Sequence, residues 1–265
     1  AVRLFWLCAG LAVLAGLGVA SVTIGVRAVS WAEIGAALGG ASDTIGEAAV
    51  AKRIPRTLLA ALAGAGLGLS GALMQGATRN PLADPGILGI NMGAALAVVV
   101  GIAFFGLAAA TAFIWTAILG AALAAVFVFA IASLGRGGAT PLKLALAGAA
   151  TMVALHAFIT AVVLPRNDIA GGVQAWQVGG VGGASFAGIA QVLPFLAAGF
   201  VMSLVSARQL NSLALGDELA AGLGENVAVA RGLAALASVV LCGAVTAMCG
   251  PIGFVGLVVP HLCRA

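Results

Sequence analysis

The sequence predicts an all-α integral membrane protein, a polytopic helical bundle, and three observations carry that prediction. Charged residues make up 8% of the 265 and apolar residues 63%, whereas soluble domains carry roughly a quarter charged. The apolar residues fall in continuous runs, and a helix needs roughly 20 of them to cross a bilayer core of about 30 Å. The runs are rich in Leu, Ala and Gly and do not alternate, which excludes the dyad-patterned strands of a membrane barrel. Twelve basic and eight acidic side chains cannot cover a soluble protein of this size. The net charge of +4 is also too scattered to make a nucleic-acid footprint.

Seven spans are expected, at 4–24, 57–77, 86–106, 109–134, 142–164, 187–206 and 228–249, with an incomplete eighth from about residue 252. The first follows Arg3 and is too long for a signal-peptide core, and no A-x-A site follows it, so it reads as a retained helix. The second is preceded by the basic string Lys52-Arg53-Ile54-Pro55-Arg56 and carries Gly64, Gly68 and Ala72 at every fourth position. Small residues at that spacing let helices approach closely in lipid. Gly66-x-Gly68-x-x-Gly71 in the same span is formally a dinucleotide fingerprint, but it follows no strand and reads as packing.

Between the second and third spans, TRNPLADPG (78–86) forces a turn, with Asp84 and Pro85 placed to start the next helix. GRGGATP (135–141) reads as a hinge. His156 lies in the middle of the fifth span, as a candidate for ligand or water contact or as a neutral imidazole bonded to a neighbouring helix. The stretch 165–186, with Trp176, suggests a short interfacial or re-entrant helix. In LALGDELAAGLGEN (213–226), Gly216 and Gly224 bracket a short helix with an acidic start at Asp217 and Glu218. Leu219, Ala220 and Leu223 are expected to form its apolar face, as a knob for a partner's groove or a helix lying on the membrane surface. Cys8, Cys242, Cys249 and Cys263 form no CxxC pair and read as small buried hydrophobes.

With alternate crossings, Arg3, Arg79, Arg136, Lys143, Arg208, Arg231 and Arg264 share one side, against Arg27, Lys52, Arg53, Arg56 and Arg166 on the other. That excess places the N-terminus in the cytoplasm. The exterior cluster at 52–56 runs against the rule and therefore calls for a task. No GxxxxGK[ST] occurs, and all eight acids fall in connections. An ion-coupled secondary transporter, which wants buried acids, is disfavoured on that ground, as is an intramembrane aspartyl enzyme.

Three strings carry a resemblance: RIPRTLLAALAGAGLGLSGALMQGATRNPLADPGILGINMGA (53–94), NSLALGDELAAGLG (211–224) and GPIGFVGLVVPH (250–261). In order and spacing the chain resembles the permease subunits of type II ABC importers for iron-siderophores, haem and vitamin B12. The resemblance implies a single transmembrane permease domain over 1–265, a cytoplasmic coupling segment at 208–226, and ten helices in the whole subunit. Helices nine and ten would lie beyond residue 265, so a longer protein is expected. It also implies a second permease subunit, identical or homologous, two cytoplasmic P-loop ATPases that hold ATP and Mg, and an extracytoplasmic solute-binding protein. The cargo closest in motif is a ferric siderophore, with haem or cobalamin as the alternative. Arg53 and Arg56 would dock the binding protein. Leu215, Gly216, Asp217, Glu218, Leu219, Ala220, Leu223 and Gly224 would couple to the ATPase, and Asn91, Met92 and His156 would line the path. The chain itself is expected to carry no catalytic residue, metal or cofactor.

Overall fold

A computed structural model describes residues 2–25, 27–86, 88–134 and 140–264. Among them the chain is all helix: α1 (Val2–Thr23), α2 (Trp31–Leu38), α3 (Ile45–Thr78), α4 (Ile90–Phe105), α5 (Ala110–Ser133), α6 (Pro141–Val163), α7 (Asn167–Gln177), α8 (Phe186–Leu213), α9 (Asp217–Gly222), α10 (Val227–Cys249) and α11 (Val255–Leu262). Six of these, α1, α3, α5, α6, α8 and α10, are long and apolar enough to cross a membrane. The third expected span is shorter than read. Residues 86, 88 and 89 are not helical, Gly89 sits in the left-handed region at φ 73°, and α4 begins only at Ile90. Asp84 therefore does not cap it; its Oδ2 accepts from the Gly86 amide at 2.8 Å and closes a local turn. Residues 135–139 of the expected hinge lie outside the described residues.

Packing divides the chain into two compact units, one of Ala1–Leu62 with Val181–Ile189 and one of Ala63–Gly180 with Ala190–Ala265. In the first, none of α1's apolar window is buried, and its carbonyl end is fastened by a side chain. Arg53 Nη1 donates to the Val22 and Thr23 carbonyls at 3.0 and 3.3 Å, and Nη2 donates to the Arg27 carbonyl at 2.8 Å. Helix ends leave such carbonyls without partners, and an arginine satisfies them well. The short α2 was not foreseen. Ser30 and Glu33 form a capping box, with the Glu33 amide bonded to Ser30 Oγ at 3.2 Å and the Ser30 amide to Glu33 Oε2 at 2.7 Å.

The second unit is built on α4, α5, α6 and α10, with α10 the most deeply buried of the six spans. Glycine sets the closest approaches. A Cβ on Gly120 would fall on the Gly93 carbonyl and on Ala97, and one on Gly93 would strike Ala124 and the Gly120 carbonyl. Along α3, Gly66 faces Val245 and Leu196, Gly68 faces Val259, and Gly71 lies against the Gly256 backbone. Those three glycines are the packing face. Gly64, expected on that face, has nothing within contact distance of its Cβ position, because the apposed elements lie toward 66, 68 and 71.

Candidate functional site

The segment 213–224 folds as the bracketing glycines suggest. Gly216 and Gly224 take φ values of 113° and 87°, which side chains rarely adopt, and α9 runs between them from Asp217 to Gly222. Its orientation differs from the expected face. Ala220 is fully buried with Leu213 and Ala230, so it points inward. Leu215, Leu219 and Leu223 are 60%, 61% and 67% exposed. A helix of six residues buries one side on its own chain, and the leucines are left on the other. Glu218 is exposed as well, whereas Asp217 Oδ1 takes two guanidiniums, Arg79 Nη2 and Arg231 Nη2, each at 3.0 Å.

Elsewhere in the second unit lies a set of buried polar contacts. Asn91 is buried; its Nδ2 donates to the Ile252 carbonyl at 2.9 Å and its Oδ1 accepts from the Cys242 thiol. Gln75 Nε2 donates to the Gly256 carbonyl at 3.3 Å, and its Oε1 accepts from Arg264 Nη1 at 2.7 Å. Ser70 and Ser238 hydroxyls meet at 2.6 Å. Asn91, Gln75, Ser70 and Ser238 thereby each keep a partner, as buried polar groups require. Met92 packs on a core cluster that includes Ala95, Val99, Ile159 and Val173. Asn91 and Met92, the two candidates on α4, thus face their own unit. His156 is exposed on α6, and its carbonyl accepts from Thr160 Oγ1 at 3.0 Å.

In the first unit the structure divides the two docking candidates. Arg53 is spent on the end of α1, so closely that a Cβ on Gly25 would strike its guanidinium. Arg56 is exposed; its Nε donates to the Gly182 carbonyl at 3.1 Å, and its Nη groups make no hydrogen bond among the described residues.

The short helix expected in 165–186 is α7. Arg166 precedes it and pairs bidentately with Asp168, Nε to Oδ1 at 3.0 Å and Nη2 to Oδ2 at 2.9 Å, while Nη1 donates to the Ala103 carbonyl at 2.7 Å. The hydrogen bonds from Arg166, and then its charge, hold the Asp168 carboxyl below its ordinary value. The stabilisation is therefore complete above the ordinary carboxylate pKa and is lost as pH falls through the lowered one. The Ile169 and Ala170 amides bond back to the Arg166 carbonyl. Their protection against hydrogen exchange, relative to the intrinsic rate at each pH, should fall only below the ordinary carboxylate range. A fall in protection centred at or above that range would show that the pair does not form.

Comparison with known proteins fits this arrangement. Residues 12–265 match the profile of the FecCD transport family. The chain is 40% identical over 248 residues to a Bacillus subtilis protein described as "Probable siderophore transport system permease protein YfiZ", covering 92% of this chain and 74% of that one. It is 44% identical over 213 residues to the ferric enterobactin transport system permease protein FepD of Escherichia coli, covering 80% of this chain and 64% of that protein. The chain therefore spans about three quarters of the first relative and under two thirds of the second. A solved structure, described as an inward-facing metal-chelate type ABC transporter, superposes with a TM-score of 0.71 at 28% identity, covering 96% of this chain and 79% of that one. A multi-pass helical bundle matched over nearly its whole length by permeases of one kind has one assignment: the chain belongs to the FecCD transport family.

Proposed function

We propose that the chain is the membrane-spanning part of an ATP-driven importer that receives a ferric siderophore chelate from an extracytoplasmic binding protein and passes it to the cytoplasm. Its mechanical observation is α9, a short helix anchored inward by Ala220 and Asp217 that leaves three leucines exposed. An apolar knob of this kind suits the cleft of a cytoplasmic ATPase, which holds the ATP and Mg; the chain contributes no covalent chemistry and no cofactor. A second permease subunit completes the path, two ATPases drive it, and the N-terminus lies in the cytoplasm. His156 on α6 is the residue proposed to face the path. The cargo class follows relatives named for siderophore, ferric enterobactin and Fe(3+)-citrate transport. A hemin permease of Yersinia pestis at 39% identity makes haem the second reading.

The test is uptake into vesicles that hold the complete importer and its ATPase, supplied with binding protein and with ferric enterobactin, ferric citrate, a ferric hydroxamate or hemin. ATP-dependent accumulation of an iron chelate supports the reading. Accumulation driven by an ion gradient without ATP overturns it.

The docking role falls to Arg56. Arg56→Glu should weaken binding-protein affinity about tenfold, ~1.4 kcal/mol, with a nearly unchanged Tm, since the side chain is exposed and its one bond, to the Gly182 carbonyl, is solvent-exposed too. Arg53→Glu should instead lower the Tm, because it strips two hydrogen bonds from the end of α1 and a third from the Arg27 carbonyl beyond it. Surface plasmon resonance and a thermal melt in detergent separate the two, and equal affinity in the Arg56 variant would remove that residue from the interface.

A further inference from the structure

Helix α9 begins at an acid that the ends of two other helices share. Asp217 Oδ1 accepts from Arg231 Nη2, near the start of α10, and makes an ion pair with Arg79 Nη2, just past the end of α3, at 3.0 Å in both cases. Arg231 also donates through Nε to the Ala77 carbonyl at 3.1 Å, tying the last turn of α3 to α10. Such bonds are lost with a stretch of about half an ångström. Any displacement of α9 therefore either drags both helix ends or breaks the cluster.

Arg79 supplies a second, independent observation. The end of α3 is a Schellman turn: the Asn80 amide bonds to the Gln75 carbonyl at 3.2 Å and the Arg79 amide to the Gly76 carbonyl at 3.3 Å. The residue between takes φ 50°, a position where glycine is the unstrained choice and a β-carbon is penalised. An arginine held there against its backbone preference points to work done by its guanidinium, and that guanidinium grips Asp217.

We propose that the Arg79–Asp217–Arg231 cluster is the joint that carries the movement of α9 into the ends of α3 and α10, an inference that rests on α9 being the ATPase-docking element. Ala220, buried against Leu213 and Ala230, seats the same helix on α8 and α10. The three residues are positioning residues: they touch neither cargo nor nucleotide, and they act by keeping α9 and the two helix ends in step.

The decisive variant is Arg79→Gly, because it relieves backbone strain while it removes the grip. In the complete importer, reconstituted in vesicles with its ATPase and binding protein and given ferric enterobactin or ferric citrate, two quantities are read: iron accumulated per ATP hydrolysed, and Tm. The expected result is a Tm equal to or above wild type, an ATPase that still co-purifies, and iron per ATP reduced about fivefold or more. Asp217→Asn should reproduce the loss and Asp217→Glu recover part of it, since the longer carboxylate still reaches a guanidinium. Wild-type iron per ATP in both Arg79→Gly and Asp217→Asn overturns the joint, as does a loss of uptake explained wholly by a fall in Tm. A parallel Leu219→Asp importer tests the underlying reading. If its ATPase stays bound, α9 is not the docking element and the joint falls with it. If the ATPase is released there while Arg79→Gly transports normally, the joint alone fails.

Discussion

Gly120→Leu should leave little or no folded chain in the membrane. At this point α5 crosses α4 so closely that even a β-carbon would fall on the Gly93 carbonyl and on Ala97. The obstacle is backbone, which cannot rotate away as a side-chain tip can. Overpacking a tight core typically costs about 1–3 kcal/mol and sometimes more. Here a whole isobutyl group must fit where a methyl does not, so the two helices have to part. Lipid tails offer no hydrophobic force to draw them together again, and close packing is what holds membrane helices. Since α10 and α6 also rest on α4 and α5, parting the pair unseats the second unit. The check is the yield and Tm of the detergent-solubilised chain, with Gly64→Ala as control. Gly64 has open space at its Cβ position, and alanine in a helix is favoured over glycine by about 1 kcal/mol, so the control should melt at or above wild type. A Gly120→Leu chain with wild-type yield and Tm would refute the crossing.

Leu219→Asp and Leu223→Asp should abolish ATP-driven uptake without harming the fold. Both side chains are well exposed, and exposed substitutions usually shift stability by less than about 0.5 kcal/mol. The same change is severe once a partner covers the site. It removes a buried leucine, worth about 2–5 kcal/mol in a packed setting, and it buries an unpaired carboxylate, which costs more. Ala220→Asp gives the opposite pattern, because that position is sealed within the chain against Leu213 and Ala230 and its variant should fail to fold. The measurement pairs Tm with retention of the ATPase on an affinity-tagged importer. Either leucine variant holding the ATPase as wild type does would refute a docking role for this face.

The membrane helices were legible because continuous apolar runs need no tertiary context to be recognised. Their ends were less so. Helix α8 runs on to Leu213 and α3 starts as early as Ile45, since polar residues such as Arg208 and Gln209 extend a helix without adding hydropathy. The late start of α4 hangs on the left-handed Gly89, which hydropathy does not register. Helix α2 did carry a signal, Ser30-x-x-Glu33, that a search for capping boxes would find. In the site, paired glycines announced α9, but six residues are too few for a period to reveal that Ala220 turns inward. The partners of Asp217 lie on other helices, and Arg53's carbonyls lie on α1. No local pattern encodes contacts of that kind.

The burial of α10 also sets an order of events during synthesis. Helices α4, α5 and α6 emerge from the ribosome well before it, yet α10 packs on α4 and α5. Between Ser133 and Val227 lie some ninety residues, which at ~5–20 residues per second take roughly 5–20 s to make. Through that interval the faces of α4 and α5 that will receive α10, with Asn91 and Ile118 on them, still lack that helix. The early helices must be individually stable in the bilayer and only loosely committed to each other, as helices that insert first and associate afterwards are. The second unit is thus completed by a late arrival at faces already waiting for it.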